Sequence, residues 1–287
     1  MRLVLGMLQL LIIVGALGEE QEILLPRNNY RSNEFAMLPD HKLLFCRIHK
    51  AGSSAISDLV TAISPPPNPE HPSWTYHQPS DHGYGIEAVE KILRDPTWIK
   101  VVIYRDPLER FLSAYRSKCE DFDADQVCSN VFHGRNPSFA GAVRQFILKE
   151  NFSPDGHFYP QAEICTLRTT LPFFSERFIL VRSTAHATIS RILDEAHVER
   201  TEKVNAKLKK HFAPPGEEPN STHITHSEQI STLLKYYNHD CLIRLIVFHY
   251  QVDYSVFHLP CPDWAVGALE RTTVNECMEY IKSHRFD

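Results

Sequence analysis

Apolar residues recur along the chain in short blocks, each followed by a polar turn and then by a stretch with helical spacing. Residues 43–48 form an apolar run of strand length. Apolar positions 55, 56, 59, 60 and 63 then fall on one face of a helix predicted at 54–63. Three consecutive prolines, at 65–67, end that helix. The pattern therefore predicts a strand, a short polar loop and a helix, in that order.

A second unit of the same kind is predicted further along the chain. Residues 99–104 are apolar except for Lys100 and are of strand length. Asp106, Pro107 and Glu109 are typical of a helix start, with Asp as the cap and Pro in the first helical position. This helix is predicted to end near residue 118. The other predicted elements are helices at 86–93, 138–149 and 184–196, a strand at 177–182, and one or two helices within 227–250.

Three further segments are assigned to no helix or strand. They are a lead at 19–41, a loop rich in Pro, His and aromatic residues at 68–85, and an exposed basic and Pro-rich segment at 203–219. Strands that alternate with helices favour an α/β fold, in which helices flank a central, mostly parallel sheet in three layers. No internal repeat divides the chain, so a single domain is expected.

The first residues predict a secretory address. A basic start, an apolar run at 3–17 and small residues at 16 and 18 are typical of a signal peptide, and the run is shorter than a usual membrane span. An uncleaved signal anchor is the alternative. We therefore predict residues 1–18 as a signal peptide or signal anchor and residues 19–287 as one lumenal domain. Glycosylation sequons at Asn151 and Asn220 agree with this address.

The seven cysteines are an odd number. Cys119 and Cys128 lie close together in a polar stretch and are candidates for a local disulfide. Cys46 lies inside an apolar strand and is interpreted as a buried free thiol. The chain has no C-x-x-C pair, which argues against a zinc site. The candidates for further bridges, whose pairing stays open, are Cys165, Cys241, Cys261 and Cys277.

Charge limits the class of partner. The formal net charge of −5 argues against general nucleic-acid binding. The 16 histidines would shift the charge upward in a mildly acidic lumen. The alternative is that most of them are surface residues without a role.

The loop after the first strand has the residue types of a phosphate cradle. A helix N-terminus, where backbone amides are unpaired and the dipole favours anions, receives this loop. Gly52 lets the backbone approach a phosphate closely, and Lys50 supplies a positive charge. Ser53 and Ser54 supply hydroxyl donors. The spacing is not that of a Walker A motif, and an ordinary strand-to-helix turn with an exposed lysine is the alternative.

The corresponding loop of the second unit begins with an arginine. Arg105 leaves the carboxyl end of its strand, where α/β proteins bind ligands, and Ser113 lies two turns into the following helix. Arg105 suits charge-assisted bonds to a phosphate, to which Ser113 would add a hydroxyl. A surface ion pair between Arg105 and Asp106 is the alternative.

Together, the two units resemble the Golgi carbohydrate sulfotransferases, most closely the branch that contains the chondroitin and HNK-1 sulfotransferases. In that branch a C-x-x-P-K loop binds the 5′-phosphosulfate of 3′-phosphoadenosine 5′-phosphosulfate (PAPS), and R-D-P-x-x-R-x-x-S-A-Y binds the 3′-phosphate. Residues 105–115 match the second motif without a mismatch, and residues 46–50 match the first with His49 in place of proline. His-Phe-Tyr-Pro-Gln, at 157–161, is similar to the family's H-x-x-P-Q acceptor-side segment.

The resemblance implies a P-loop-like sulfotransferase fold that transfers a sulfuryl group from PAPS to a carbohydrate hydroxyl, in the Golgi lumen or after secretion. Lys50 is the expected stabiliser of the leaving oxygen. The candidate general bases are His77 and His82, in the region where the heparan 2-O-sulfotransferase branch carries its catalytic histidine, and His157 in the acceptor-side segment. The expected donor-binding residues are Arg47, His49, Lys50, Ala51, Gly52, Ser53, Ser54, Arg105 and Ser113.

The acceptor side is less specific. A basic run within 203–211 either steers an anionic glycan or forms a solvated helix face. The aromatic residues Trp74, Tyr76, Phe158 and Tyr159 either stack on sugar rings or pack in the core. No metal is implied, and neither the sugar nor the oligomeric state is predicted.

Three other functions compete with this one. The first is a secreted, catalytically inactive glycan-binding protein of the same fold, which the His49 substitution favours. The second is a lumenal nucleotide-binding kinase, against which the missing Walker A spacing and the missing acidic magnesium motif argue. The third is a peptide sulfotransferase that uses the same chemistry.

Overall fold

The computed structural model describes residues 34–70, 76–120, 125–133, 136–168, 178–183, 186–212, 230–284 and 286. The predicted signal segment at 1–18 and the sequon at Asn220 lie outside the described residues, as does Trp74. No helix in the described ranges is long and apolar enough to cross a membrane.

Within the described ranges, four strands form one sheet in the order β1-β2-β3-β4. Their bounds are Phe35–Leu38, Leu43–Cys46, Ile99–Tyr104 and Phe178–Arg182. The three strands predicted from apolar runs pair in parallel, and β1 pairs antiparallel with β2. The sheet is therefore mixed, with the predicted parallel core. β1 lies in the segment for which the sequence predicted no element, because a run of four apolar residues is too short to show a period.

Helices connect and flank these strands. In chain order, α1 to α12 are Ser53–Ile63, Ile86–Arg94, Pro107–Tyr115, Asp125–Val131, Phe139–Leu148, His186–Glu195, Glu202–His211, Ile230–Tyr236, Asp240–His249, Gln251–Val256, Asp263–Arg271 and Val274–Ser283. The helix predicted to run to residue 118 ends at Tyr115 and continues as a π-helical turn, Arg116–Glu120. Most of α7 lies in the segment at 203–219, which the sequence predicted as basic, Pro-rich and exposed. The helices after residue 250 were not predicted.

Helices cover both faces of the sheet. α1, α6 and α7 pack on one face, through a cluster that includes Phe45, Leu59 and Ile192. α2 and residues 164–167 pack on the other face. A third, aromatic cluster joins α3, α5 and α9, and the rings of Phe139, Phe146, Phe158 and Tyr250 surround Phe111. This aromatic cluster supports α3 and the segment around residue 158, and both carry candidate site residues.

Three disulfides are present among the described residues. Cys119–Cys128 confirms the predicted local bridge, and Cys241–Cys277 is a second bridge. Cys46 is bonded to Cys165, so its interpretation as a free thiol was wrong. The side chain of Cys46 does lie in a buried layer, but the segment that packs on that layer brings in a cysteine from 119 residues away, which strand periodicity does not reveal. The cysteine that stays free is Cys261.

The sheet places the two predicted phosphate loops side by side. β2 and β3 are parallel neighbours, with Cys46 opposite Val102. Because the carboxyl ends of parallel strands lie at the same edge of a sheet, the loop after Cys46 and the loop after Tyr104 emerge together. This edge carries the candidate active site.

Candidate active site

The loop from β2 to α1 has the backbone of an anion cradle. Lys50 has a φ of 64° and Gly52 a φ of 102°, so both lie in the left-handed region, which is costly for any residue except glycine. Gly52 is the N-cap of α1 and has no side chain with which to cap it, and the first turn contains no acidic residue. The first amides of α1 and the positive end of its dipole therefore face the loop without an internal anion.

The amine of Lys50 points toward the end of α3. Its Nζ donates a hydrogen bond to the Ser117 Oγ at 2.5 Å. Ser117 belongs to the π-helical turn that follows α3. The lysine is therefore held between the loop that begins α1 and the turn that ends α3. Ser53 is half-buried and Ser54 is exposed at the start of α1, while Ala51 is buried and donates its amide to the Ile48 carbonyl.

The start of α3 is built differently. Asp106 caps it, since its Oδ1 accepts hydrogen bonds from the amides of Leu108 and Glu109. Burial and the nearby Glu109 carboxylate raise the pKa of Asp106 to about 6. The carboxylate of Asp106 already occupies the N-terminus of α3, so this end cannot bind another anion through its first amides. The N-terminus of α1 has no such carboxylate and can bind an anion.

Arg105 supplies the positive charge beside α3. Its Nε lies 3.2 Å from the Glu109 Oε2, and the two side chains form an ion pair along the helix. The side-chain amide of Gln161 also fixes the backbone of Arg105 through two hydrogen bonds. The Arg105 backbone amide donates to the Gln161 Oε1, and the Gln161 Nε2 donates to the Arg105 carbonyl. Arg105 exposes 6% of its surface and Ser113 exposes 1%. The arginine and the serine predicted to bind one phosphate thus both lie in a largely dry part of the molecule.

Two histidines and an aspartate meet beside the Lys50 loop. The rings of His49 and His157 lie 4.4 Å apart between centroids. The Nδ1 of His157 is 2.7 Å from the Asp155 Oδ1, which also accepts the His157 backbone amide. The other ring nitrogen of His157, Nε2, has no hydrogen-bond partner among the residues the structure describes. This arrangement fixes the ring by one nitrogen and leaves the other available to a ligand.

The environment keeps both rings neutral near pH 7. Burial lowers the pKa of His49 to about 3, and the nearby His157 and Arg110 act in the same direction. Burial also lowers the pKa of His157, although the hydrogen bond from its ring to Asp155 acts against the shift. Burial acts to raise the pKa of Asp155, but its hydrogen bonds with His157 outweigh burial and lower the value to about 2. His157 is therefore a neutral base next to an ionised carboxylate.

His77 and His82 lie in another part of the fold. The Nε2 of His77 lies 3.1 Å from the carbonyl of Ser64, which is the C-cap of α1, about 16 Å along the helix from Ser53 at 1.5 Å per residue. The Nδ1 of His77 lies 3.3 Å from the Nε2 of His82, and the two rings are stacked. Burial and the neighbouring His82 lower the pKa of His77 to about 4. The structure thus brings His157, and not His77, to the Lys50 loop.

Arg47, at the end of β2, contacts neighbouring backbone segments of the protein. Its guanidinium donates to the backbone carbonyls of Tyr76, at 2.9 Å, and Phe35, at 2.7 Å, and its side chain is buried. Burial lowers the pKa of Arg47 to about 10, with Asp81 acting in the opposite direction, so it keeps its charge at neutral pH. These contacts tie β1 and the segment around residue 76 to the end of β2.

The candidate acceptor residues separate into two groups. Phe158 is fully buried in the aromatic cluster, whereas Tyr76 and Tyr159 are partly exposed. The basic run lies on α7, where Lys207, Lys210 and His211 all approach the Asp58 carboxylate of α1. A cleft of about 220 Å³ opens between these helices, and Ser54 lies on its lining with Tyr76, Lys203 and Lys207. Part of the charge of the basic run is therefore used within the fold.

Several residues of the site had no prediction. Asp155 lies two positions before His157 and Ser117 two positions after Tyr115, so proximity to the quoted motifs was the one available signal. Asp253, which binds the acceptor-side segment, gave no signal in sequence because its contacts span 92 residues. In the described part of the chain no group of three or more His, Cys, Asp or Glu side chains is placed to hold a metal ion.

Comparison with known proteins bears on the whole of this arrangement. No curated protein and no solved structure matches the chain. The profile of the sulfotransferase family matches residues 33–260, which include both phosphate loops, the His49–His157 pair and Asp253. A match over this much of the chain establishes its membership, and the protein belongs to the sulfotransferase family.

Proposed function

We propose that the protein is a PAPS-dependent sulfotransferase that sulfates a hydroxyl of a carbohydrate in the lumen of the secretory pathway. One observation carries the proposal: the Lys50 loop, the uncapped start of α1 and the Asp155–His157 pair converge at the edge of the sheet where Arg105 emerges. Family membership supports sulfuryl transfer, and sulfotransferases of this kind normally use PAPS.

The two loops fit the two anionic ends of such a donor. The left-handed Gly52, the free first turn of α1 and the Ser53 and Ser54 hydroxyls suit the 5′-phosphate. Arg105 and Ser113 suit the 3′-phosphate, which distinguishes PAPS from ATP. The different construction of the two helix starts agrees with this division, since only α1 leaves its amides open.

Catalysis then depends on charge and alignment. When bound, PAPS supplies a sulfuryl group on a good leaving group, and the sulfur–oxygen bond to its phosphate breaks as a new bond to the acceptor hydroxyl oxygen forms. Lys50 stabilises the negative charge that develops on the leaving oxygen. Nε2 of His157 accepts the proton of the acceptor hydroxyl, while Asp155 holds the ring and stabilises the imidazolium that results. His49, whose depressed pKa keeps it neutral, lines the space next to His157 without adding charge.

Other observations support the proposed carbohydrate acceptor and the proposed lumenal location. The acceptor-side segment at 157–161 is similar to that of the carbohydrate branch. Tyr159 in this segment is a partly exposed aromatic residue, and Tyr76 lines a cleft together with Ser54. The predicted signal segment supports a lumenal location, as do three disulfides, which persist in oxidising compartments.

The deciding experiment is a thermal-shift titration of the purified lumenal chain with adenosine 3′,5′-bisphosphate, with ATP as the control. A ligand that binds the native state raises the melting temperature in a concentration-dependent manner. We expect the bisphosphate to stabilise the protein and ATP to do so far less. A screen of glycans with labelled PAPS would then identify the acceptor.

Three results would count against the proposal or part of it. If the protein is folded but the bisphosphate does not stabilise it, the protein does not bind the donor. The hypothesis of an inactive glycan-binding protein would then replace that of an enzyme. A stronger shift with ATP would favour a kinase. Incorporation of label into peptides but not glycans would retain the chemistry and change the acceptor.

A further inference from the structure

Arg110 belongs to the same sequence motif as Arg105 and Ser113, but its contacts are of a different kind. It exposes 1% of its surface. Each of its three guanidinium nitrogens donates to a backbone carbonyl: Nε to His49 at 2.8 Å, Nη1 to Tyr159 at 2.6 Å and Nη2 to Gly156 at 3.3 Å. The planar fork is therefore occupied by protein and is not directed at a phosphate.

These three carbonyls come from two separate segments. His49 lies in the donor loop, next to Lys50. Gly156 and Tyr159 flank His157 in the acceptor-side segment. One rigid side chain on α3 thus fixes both segments. The rings of His49 and His157, whose centroids lie 4.4 Å apart, belong to these two segments.

Asp253, on α10, holds the other end of the acceptor-side segment. Its two carboxylate oxygens accept the backbone amides of Gln161, at 2.9 Å, and Ala162, at 2.8 Å. Gln161 in turn is bonded to the backbone of Arg105. The segment is therefore fixed by a buried cation at residues 156–159 and by a buried anion at residues 161–162.

The two charges also support each other. Burial lowers the pKa of Arg110, and the charge of Asp253 acts against that shift. Burial raises the pKa of Asp253, and Arg110 is among the groups that act against it. Buried charges without partners are costly, so such a pair persists where its hydrogen bonds organise the surrounding backbone.

We propose that Arg110 and Asp253 are positioning residues that clamp the acceptor-side segment to the donor loop, so that Lys50 and His157 face one reaction space. The roles of Lys50 and His157 in this statement rest on the proposed function. The clamp itself is a property of the folded protein, and it has a readout that needs neither donor nor acceptor. In this arrangement the second arginine of the motif assembles the site without contacting substrate.

The test compares Arg110→Lys, Asp253→Asn and the matched control Arg144→Lys. Lysine keeps the charge at 110 but cannot span three carbonyls. Arg144 also donates to a backbone carbonyl, that of Ile281, and pairs with Glu150, but it lies on α5 outside the site. For each folded variant, NMR of the histidine rings gives the pKa of His157, and calorimetry gives the affinity for adenosine 3′,5′-bisphosphate.

We expect release of the segment to expose His157, so that its lowered pKa rises toward the ordinary value in Arg110→Lys and, by less, in Asp253→Asn. Bisphosphate affinity should fall at least ten-fold in Arg110→Lys, because displacement of the donor loop should weaken at least one charge-assisted hydrogen bond to the ligand, which is worth about a decade. Arg144→Lys should lower the melting temperature and change neither quantity. If Arg110→Lys does not fold, Asp253→Asn decides the matter by the same readouts.

The inference is wrong if the folded variants lose stability but keep the pKa of His157 and a bisphosphate affinity within about two-fold of the wild type. That result would give Arg110 and Asp253 a purely structural role. A different result is expected if the proposed function itself is wrong. The wild-type protein would then not bind the bisphosphate, while the His157 titration would still report whether the clamp exists.

Discussion

Removal of the Cys46–Cys165 disulfide should destabilise the protein far more than removal of Cys119–Cys128. The four cysteines are all buried, so a Cys→Ser change has a similar cost in the folded state at each pair. The bridges differ in the loop that they close, which spans 119 residues in one case and 9 in the other. The comparison therefore isolates the effect of loop length.

The size of the difference follows from the entropy of the unfolded chain. The loop-closure relation gives about 4.9 kcal/mol for Cys46–Cys165 and about 2.6 kcal/mol for Cys119–Cys128. The expected difference is about 2.3 kcal/mol, against a total stability of about 5–15 kcal/mol for a typical protein. The doubly substituted Cys46→Ser, Cys165→Ser protein should thus lose between about a third and nearly all of a typical stability.

Urea unfolding followed by tryptophan fluorescence measures both free energies under non-reducing conditions. A thiol titration of the denatured wild-type protein provides the control. It should find one free thiol, Cys261, in a chain of seven cysteines. Three free thiols would mean that Cys46 and Cys165 are not bonded. Equal losses for the two double variants, or a larger loss for Cys119–Cys128, would refute the entropic reasoning.

Four further predictions test the site and the compartment. Lys50→Ala should lower kcat about 10²- to 10³-fold, as loss of one transition-state donor does, with exposed Lys42→Ala as the control; an unchanged kcat would contradict its role. Because burial lowers the pKa of His157, the acid limb of the kcat profile should have its midpoint below pH 6.5, and a midpoint above about pH 7 would argue for another base. Gly52→Ala should cost about 1–2 kcal/mol of stability because of its φ of 102°, measured by urea unfolding, and a neutral effect would contradict the left-handed turn. Asn151 is exposed, so the protein made in eukaryotic cells should carry an endoglycosidase-sensitive glycan that Asn151→Gln removes; an unchanged mobility would count against a lumenal address.

The sequence predicted those parts of the fold that local patterns encode. The strands at 99–104 and 177–182 and the helix at 54–63 lie within a residue of their predicted bounds, because each is a largely apolar run or a clear amphipathic stretch. The cap of α3 by Asp106 followed from residue type alone. β1 and the C-terminal helices were missed. β1 is short and gains its order from pairing with β2, an interaction that no local window contains.

The site also divides into residues whose placement local patterns predict and residues whose placement depends on long-range contacts. Lys50, Gly52 and Arg105 are attached directly to strand ends, so their placement followed from the strand–loop–helix pattern. The three candidate histidines could not be ranked in this manner, since all lie in irregular segments whose paths depend on long-range contacts. Arg110, Asp253 and the Cys46–Cys165 bond determine the path of the segment that carries His157. Arg110 was visible as a motif position, but its three carbonyl partners were not.

The outer edge of β1 is the edge of the sheet that the structure shows to be covered by the chain itself. An edge strand normally presents free amides and carbonyls to which a strand of another molecule can add. Here the Met37 amide donates to the carbonyl of His77, and the Phe35 carbonyl accepts the guanidinium of Arg47. The left-handed turn at His77, with a φ of 61°, brings the chain back across this edge. The segment that carries His77 and His82 thus closes this side of the sheet to edge-to-edge association, which protects the protein against aggregation.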